Sequence, residues 1–577
     1  MKAQINFTHL NKLLTCQPYL VWHNIEKEVD TLSDEYKNFE FDLPAFIDSY
    51  EHSLTEIQAK SASIIKTKFL QKMYKKFKNL KIVPEEKLKN RAILTKQYLN
   101  NFQNNVIYNP TFIYKYQNYE VVANPMVYDQ ISQTVYFLKM STNTKRGDII
   151  KLFFDIEVMK KLDIKIKHVY LYIIATNQYK KGEIDFFATK YLNSQKTGPT
   201  YKDKADVNYY ANVQMLKAGL SNDKSWDILK IINEKKVDRN FIFDDLDNYL
   251  QQIIDAANYD ELNPLSTEDY QFLNECYVPW KTIVNLKNDV IYRGYNGKLI
   301  KKQDIIDEVP LAKLLKERPL LQKIIKNPGK VIINVEKVKK IINKIRNHFV
   351  VWYDFEAFAL PIAPMDNFLP FSQVVSQVSV IKTKQMVEKS IVNLVIDPQV
   401  INYDDFATIV NTIYDSQADC YVVYNASYEH SRLNDIVQKM YETSYKGVNE
   451  VEFKVKEIIK KTIDLANLFI VNSANKIPPI LITDLKGMYS IKRLEKYITT
   501  KYTHFPYKIK RYDSLAISNG LYAMEVINNR ALDIIGDNEW KRKSHQLAEY
   551  CENDVRAMIM VYYLVEKLLH EQITLKE

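Results

Sequence analysis

Residues 348–358 read His-Phe-Val-Val-Trp-Tyr-Asp-Phe-Glu-Ala-Phe. The bulky run from Phe349 to Tyr353 predicts a buried strand, and it leads straight into Asp354 and Glu356. Side chains alternate between the faces of a strand, so these two acids point the same way and Phe355 the other. Two carboxylates side by side on a core strand are costly unless something positive lies between them. A divalent cation with hard oxygen ligands, magnesium or manganese, meets that need. A strand end surfacing into solvent with two harmless acids is the alternative, and this stretch alone does not choose.

The chain downstream supplies the context. FSQVVSQVSVIK (371–382) alternates polar and apolar residues and predicts the hairpin partner strand, and DPQVINYDDFATIVNTIYDS then gives a helix. A strand from Cys420 to Tyr424 runs into Asn425 and opens a helix with Glu429 in its first turn, where a carboxylate can face the neighbouring strand end. KKTIDLANLF (460–469) supplies another strand or turn, with Asp464 read as a turn or cap residue. YSIKRLEKY and SNGLYAMEVINN give helical or loop pieces. HQLAEYCENDVRAMIMVYYLVEKLL predicts a strong amphipathic helix on which Tyr550 and Asp554, four apart, share a face.

Asp354-x-Glu356 on a first strand, Glu429 four residues after Asn425, and Tyr550-x-x-x-Asp554 on a late helix resemble the tyrosine subtype of the DEDD exonucleases in order, spacing and element type. The resemblance implies an RNase H-like fold over 346–577, a mixed sheet with flanking helices. It also implies hydrolysis of nucleic acid from a single-stranded 3′ end with two Mg²⁺ or Mn²⁺ ions. Asp354, Glu356, Glu429 and Asp554 would then hold the ions, Tyr550 would orient the attacking water, and Asn425, Lys492 and Arg432 would touch substrate. One departure is that Glu429 stands where the family usually carries aspartate. The histidine subtype does not fit, because Glu549 lies five residues before Asp554.

At 577 residues the chain is too long for one core, and its texture changes along its length. Residues 1–105 look mainly helical. Strands follow through IYNPTFIYKY, YEVVANPMVY and TVYFLKMSTN, then a helix over 147–162 and the strand HVYLYIIAT. Over 1–195 this order resembles the RecB-like PD-(D/E)xK nuclease module. The Glu-x-Lys place of that family reads Phe137-Leu138-Lys139 here, the preceding aspartate falls at Asn124 or Asp129, and the usual glutamine falls at Asp155. Loss of two carboxylates implies a catalytically inactive module, left to pack or to hold nucleic acid. Residues 196–345 are expected to form a mainly helical middle region. The fold class expected for the whole is multi-domain α/β. With NHFVVWYDFEAF, YVVYNASYEHSRL and EYCENDV as landmarks, the chain resembles an uncharacterised bacterial family that joins these two modules.

Relatives of the first module hold an iron–sulfur cluster on four thiolates. Only Cys16 and Cys276 stand in the corresponding segments, so no iron–sulfur cluster is expected. The four cysteines are far apart, with no CxxC, which fits a reducing cytosol. The start, MKAQINFTHLNKLL, lacks the apolar core of a signal peptide, and no run of about 18 apolar residues occurs. A cytoplasmic protein without a membrane span is therefore expected. The net charge of +10 suits a nucleic acid partner, although an AT-rich coding bias also inflates the lysine count. A catalytically inactive nucleic-acid-binding or scaffold protein of a repair or defence system is the competing expectation.

Overall fold

The structure, a computed structural model, describes residues 4–14, 21–22, 56–100, 105–140, 146–175, 179–189, 191–192, 226–238, 241–262, 292–293, 299–300, 320, 323, 326–470, 477–485 and 489–574. It is a multi-domain α/β protein with mixed sheets. Cys16 and Cys276, and with them the question of the cluster, lie outside the described residues. Among the described residues no helix is long and apolar enough to cross a membrane.

The N-terminal unit contains strands β1 (Gln4–Ile5), β2 (Leu80–Ile82), β3 (Val106–Tyr108), β4 (Phe112–Tyr116), β5 (Tyr119–Ala123), β6 (Val127–Asp129), β7 (Thr134–Leu138), β8 (His168–Ile174) and β9 (Phe186–Thr189). Its helices are α1 (Phe7–Leu14), α2 (Glu56–Lys76), α3 (Leu88–Asn100), α4 (Arg146–Lys160), α5 (Ile228–Asn233) and α6 (Leu246–Leu262). A six-stranded sheet runs β2-β3-β6-β7-β8-β9, and a smaller one runs β1-β5-β4. Every side chain of β7, TVYFL, is buried, as a central strand covered on both faces requires. β7 and β8 are parallel, and α4 is the crossover between them. The strands and the helix expected over 106–176 thus form where the texture of the sequence changes.

The C-terminal unit is built on a five-stranded sheet. The unit's strands are β10 (Val331–Ile333), β11 (Phe349–Phe358), β12 (Val374–Lys384), β13 (Val387–Val395), β14 (Cys420–Val423), β15 (Thr462–Asp464) and β16 (Ile480–Ile482); β11 to β15 form this sheet, and β10 and β16 form a separate pair. Helices α7 (Val335–Arg346), α8 (Tyr403–Ile413), α9 (Ala426–Glu442), α10 (Val448–Lys460), α11 (Ile491–Lys501), α12 (Gly520–Ala531) and α13 (Asp537–Thr574) flank it. The order is β13-β12-β11-β14-β15; β11 to β13 form an antiparallel meander, and β14 and β15 run parallel to β11. β11 is central, and its alternation sorts two cores. Val351, Tyr353 and Phe355 pack among side chains of α8, α9, α10 and α12. Val350 and Trp352 face α7, α11 and the long helix α13, where the Trp352 and Tyr562 rings lie 6.1 Å apart.

β13 and α10 are among the elements that escape the sequence reading. β13, VEKSIVNLV, is an almost wholly exposed edge strand, so no buried face gives its sequence a clean period. α10 packs Val451, Val455 and Ile458 into the core beside β14.

Of the expected middle region, 196–345, the structure describes 226–238, 241–262, 292–293, 299–300, 320, 323 and 326–345. Ile228, Ile232, Leu246, Leu250 and Ile253 share one core with Phe153 and Phe154 of α4, so α5 and α6 belong to the N-terminal unit. At the other end, β10 pairs with β16, and α7 buries Val338, Ile342 and Ile345 in the C-terminal core. Amphipathic helices declare that one face is buried, but not against what.

Candidate metal centre

Asp354 and Glu356 lie in the C-terminal half of β11, on the face that Trp352 turns toward α13. In the antiparallel register Ser379 lies opposite Asp354 and Gln377 opposite Glu356, and the register shifts immediately after Glu356. A polar floor thus interrupts an otherwise apolar sheet. α13 crosses above it with Leu547, Tyr550 and Asp554 at helical spacing. Gln377 Nε2 donates to the Leu547 carbonyl at 2.6 Å, and Cys551 Sγ lies 3.5 Å from the Asp354 carbonyl oxygen. These contacts fix the height of the helix above the strand.

The result is a group of three carboxylates. One oxygen each of Asp354, Glu356 and Asp554 lies within 4.8 Å of the other two, and all three residues are buried. The alternative of acids surfacing into solvent is excluded, since none of the three is more than 7% exposed. Burial, reinforced by Asp354 and Glu356, pushes the Cys551 thiol well above its ordinary pKa. Cys551 is therefore a neutral thiol in the floor and not a reactive thiolate.

Glu429 is placed differently. It lies buried in the first turn of α9, after β14, but outside the triad. The bend before it is left-handed: Asn425 has φ 82° and ψ 64°. Asp464, at the end of β15, holds that bend by accepting from the backbone N–H groups of Asn425 (2.9 Å), Ala426 (3.1 Å) and Ala466 (2.9 Å). Burial raises the Asp464 pKa while those three donors oppose the rise. This is the turn-capping role expected of Asp464. The Asn425 side chain accepts from Ser427 Oγ at 2.8 Å. Arg432 donates to Gln373 and pairs with Asp435 at 2.7 Å.

Tyr550 is 1% exposed, and its ring lies 6.4 Å from that of Tyr512. Lys492 sits against both, with Nζ 5.2 Å from the Tyr512 centroid and 5.5 Å from the Tyr550 centroid. Tyr512, which the sequence reading misses, donates its hydroxyl proton to Asp554 Oδ1. It lies on a short 3₁₀ turn, Tyr512–Ser514, and among 41 tyrosines nothing local marks it.

In the N-terminal unit Lys139 is buried and pairs with Asp148 at 2.8 Å. Asn124 accepts from Thr111, Asp129 accepts from Ser132 within its own turn, and Asp155 pairs with Lys151. Among the described residues, the Asp354–Glu356–Asp554 triad is the one acid, histidine or cysteine group arranged to hold a metal ion.

The profile of a family described as "Domain of unknown function (DUF2779)" matches residues 351–490, which covers β11 to β16 but not Asp554. The chain is 25% identical to the uncharacterized protein UU173 of Ureaplasma parvum serovar 3, over 89% of this chain and 85% of that protein. It is also 25% identical to the uncharacterized protein MG366 of Mycoplasma genitalium, over 75% of this chain and 74% of that protein. The MG366 homolog of Mycoplasma pneumoniae is again 25% identical, over 76% and 75% of the two chains. No solved structure matches.

Proposed function

We propose that this protein is a metal-dependent hydrolase of nucleic acid phosphodiester bonds, acting from 3′ ends as the DEDD resemblance implies. The observation that carries the reading is the buried triad, which draws Asp354, Glu356 and Asp554 together from positions 200 residues apart. Three buried carboxylates in mutual reach are unstable as bare anions, and an all-oxygen donor set suits Mg²⁺ or Mn²⁺. The residues present therefore fit a divalent ion. Bound there, it would supply charge neutralisation at a phosphate and an acidified water.

The protein's own groups account for the rest. The triad lies at the carboxyl end of a central strand, the usual position of ligand sites in open α/β sheets. Tyr550 lines the same face one turn before Asp554 and is the group to orient a water. Lys492, against Tyr550 and Tyr512, offers a cation to a phosphate oxygen. Glu429, on α9 and outside the triad, would hold a second ion in the four-acid scheme.

The test is digestion of end-labelled single strands, one DNA and one RNA, with Mn²⁺ and with chelator. Shortening from the 3′ end only with metal supports the reading. Salt-sensitive binding without shortening supports the non-catalytic alternative.

Tyr512→Phe tests the ligand environment. The hydroxyl that orients Asp554 is lost while the ring that packs on Tyr550 stays. Partners of metal-ligating groups typically contribute 10- to 100-fold in affinity or activity. Isothermal titration with Mn²⁺ is expected to show affinity lowered about tenfold or more, with the melting temperature of the metal-free protein nearly unchanged. Unaltered Mn²⁺ affinity would assign Tyr512 to packing alone.

A further inference from the structure

Residues 179–183, Tyr-Lys-Lys-Gly-Glu, grip the loop that leaves the metal-centre strand. Gly182 N donates to the Ala363 carbonyl and Ala363 N to the Glu183 carbonyl, both at 2.8 Å. Asn367 N donates to the Tyr179 carbonyl, and Lys181 N to Asp366 Oδ1, again at 2.8 Å. Lys181 Nζ reaches the Gln399 carbonyl at 2.5 Å. Gly182 has φ +81°, so its left-handed turn favours glycine. A short two-way bridge of backbone hydrogen bonds thus joins the N-terminal unit to residues 359–373.

A side chain completes the grip. Phe371 belongs to the C-terminal unit but packs against the N-terminal core around Phe69, Tyr172 and Phe186. Its own backbone is left-handed, at φ 62°. A bulky residue in that region persists only where its surroundings hold it.

The far side of the same loop holds α9. Lys439 Nζ donates to the Asn367 carbonyl at 2.9 Å, and Arg432 donates to Gln373, two residues beyond Phe371. Arg432 lies three residues, one helical turn, after Glu429. Loop 359–373 therefore connects three bodies: the N-terminal unit, the strand that carries Asp354 and Glu356, and the helix that carries Glu429.

We propose that the N-terminal unit acts as a brace for the metal centre. Through Phe371 and the 179–183 turn it holds loop 359–373, and through Gln373 and Arg432 the loop sets where Glu429 stands relative to the triad. Phe371 and Gln373 are positioning residues. The mechanical link stands on the contacts alone; its consequence for metal rests on the hydrolase reading.

The experiment uses the full chain. Hydrogen–deuterium exchange is compared for wild type, Phe371→Ala, Phe371→Leu and Gln373→Ala, each followed by a Mn²⁺ titration. In Phe371→Ala, amides of 426–436 are expected to exchange at least tenfold faster, while 350–356 and 547–562 keep their protection. Phe371→Leu restores most of that protection. Gln373→Ala, which leaves the N-terminal core untouched, is expected to loosen 426–436 as well. It tests the hold of the loop on α9 apart from any damage to that core, while Phe371→Ala against Phe371→Leu tests the grip of the N-terminal unit on the loop. Unchanged exchange over 426–436 in either alanine variant overturns the brace. Failure of wild type to gain stability from Mn²⁺ is a separate result that overturns the metal reading and leaves the brace intact.

Discussion

Asp354→Asn is expected to cripple hydrolysis, by about three orders of magnitude, and at the same time to make the metal-free protein more stable. Asparagine keeps the size and shape of the side chain and removes one of three negative charges held within 4.8 Å in a buried site. Two full charges at that separation repel by about 3 kcal/mol at an effective dielectric of 20. Neighbouring groups offset part of this, so a gain of ~1 kcal/mol is expected, or about 2–4 °C in melting temperature. With excess Mn²⁺ the order reverses. Wild type gains about 2.7 kcal/mol when the ion stands at roughly 100 times its Kd, and the variant gains little. Turnover should fall on the order of 10³-fold, about 4 kcal/mol of transition-state stabilisation. Melting curves of both proteins, with Mn²⁺ and with chelator, check the crossing. If Asp354→Asn melts below wild type without metal, or gains as much from Mn²⁺, the triad is not an ion site.

The parts of the site that were legible in the sequence are those fixed by local periodicity. β11 announces itself because five bulky residues precede two acids two apart, a pattern that fixes both burial and a common face. Asp554 is legible because an amphipathic helix of that strength can bury only one stripe, and Asp554 lies on it four residues after Tyr550. Tyr512 is not legible. Its meeting with Asp554 depends on how residues 505–519 cross α13, and no local pattern records that crossing. The same holds for the brace: nothing local in residues 179–183 announces the backbone partners at 363–367. Glu429 is intermediate. Its place in the first turn of a helix was foreseeable, but its distance from the triad is set by a bend and a loop contributed from elsewhere. Position along an element is written in the sequence; the separation of two elements is a property of the packed core.

That bend underlies the second large effect. Asp464→Ala is expected to destabilise the C-terminal unit by about 3 kcal/mol, because three backbone N–H groups lose one charged acceptor. Two of those donors lie in the left-handed bend at Asn425, a conformation that costs a non-glycine residue about 1 kcal/mol or more and persists only while held. Asp464→Asn keeps one acceptor oxygen and should lose roughly half as much. Denaturant titration of both variants gives these values from the shift in midpoint at constant slope. The stabilisation by Mn²⁺ should survive in both, because Asp464 lies outside the triad. Its loss in Asp464→Asn would make this carboxylate a ligand instead of a cap. Asn425→Gly completes the argument, since glycine takes the left-handed bend without strain. If Asn425 serves only the bend, stability holds or rises slightly and turnover is unchanged. If its side chain meets substrate, KM rises while stability does not fall.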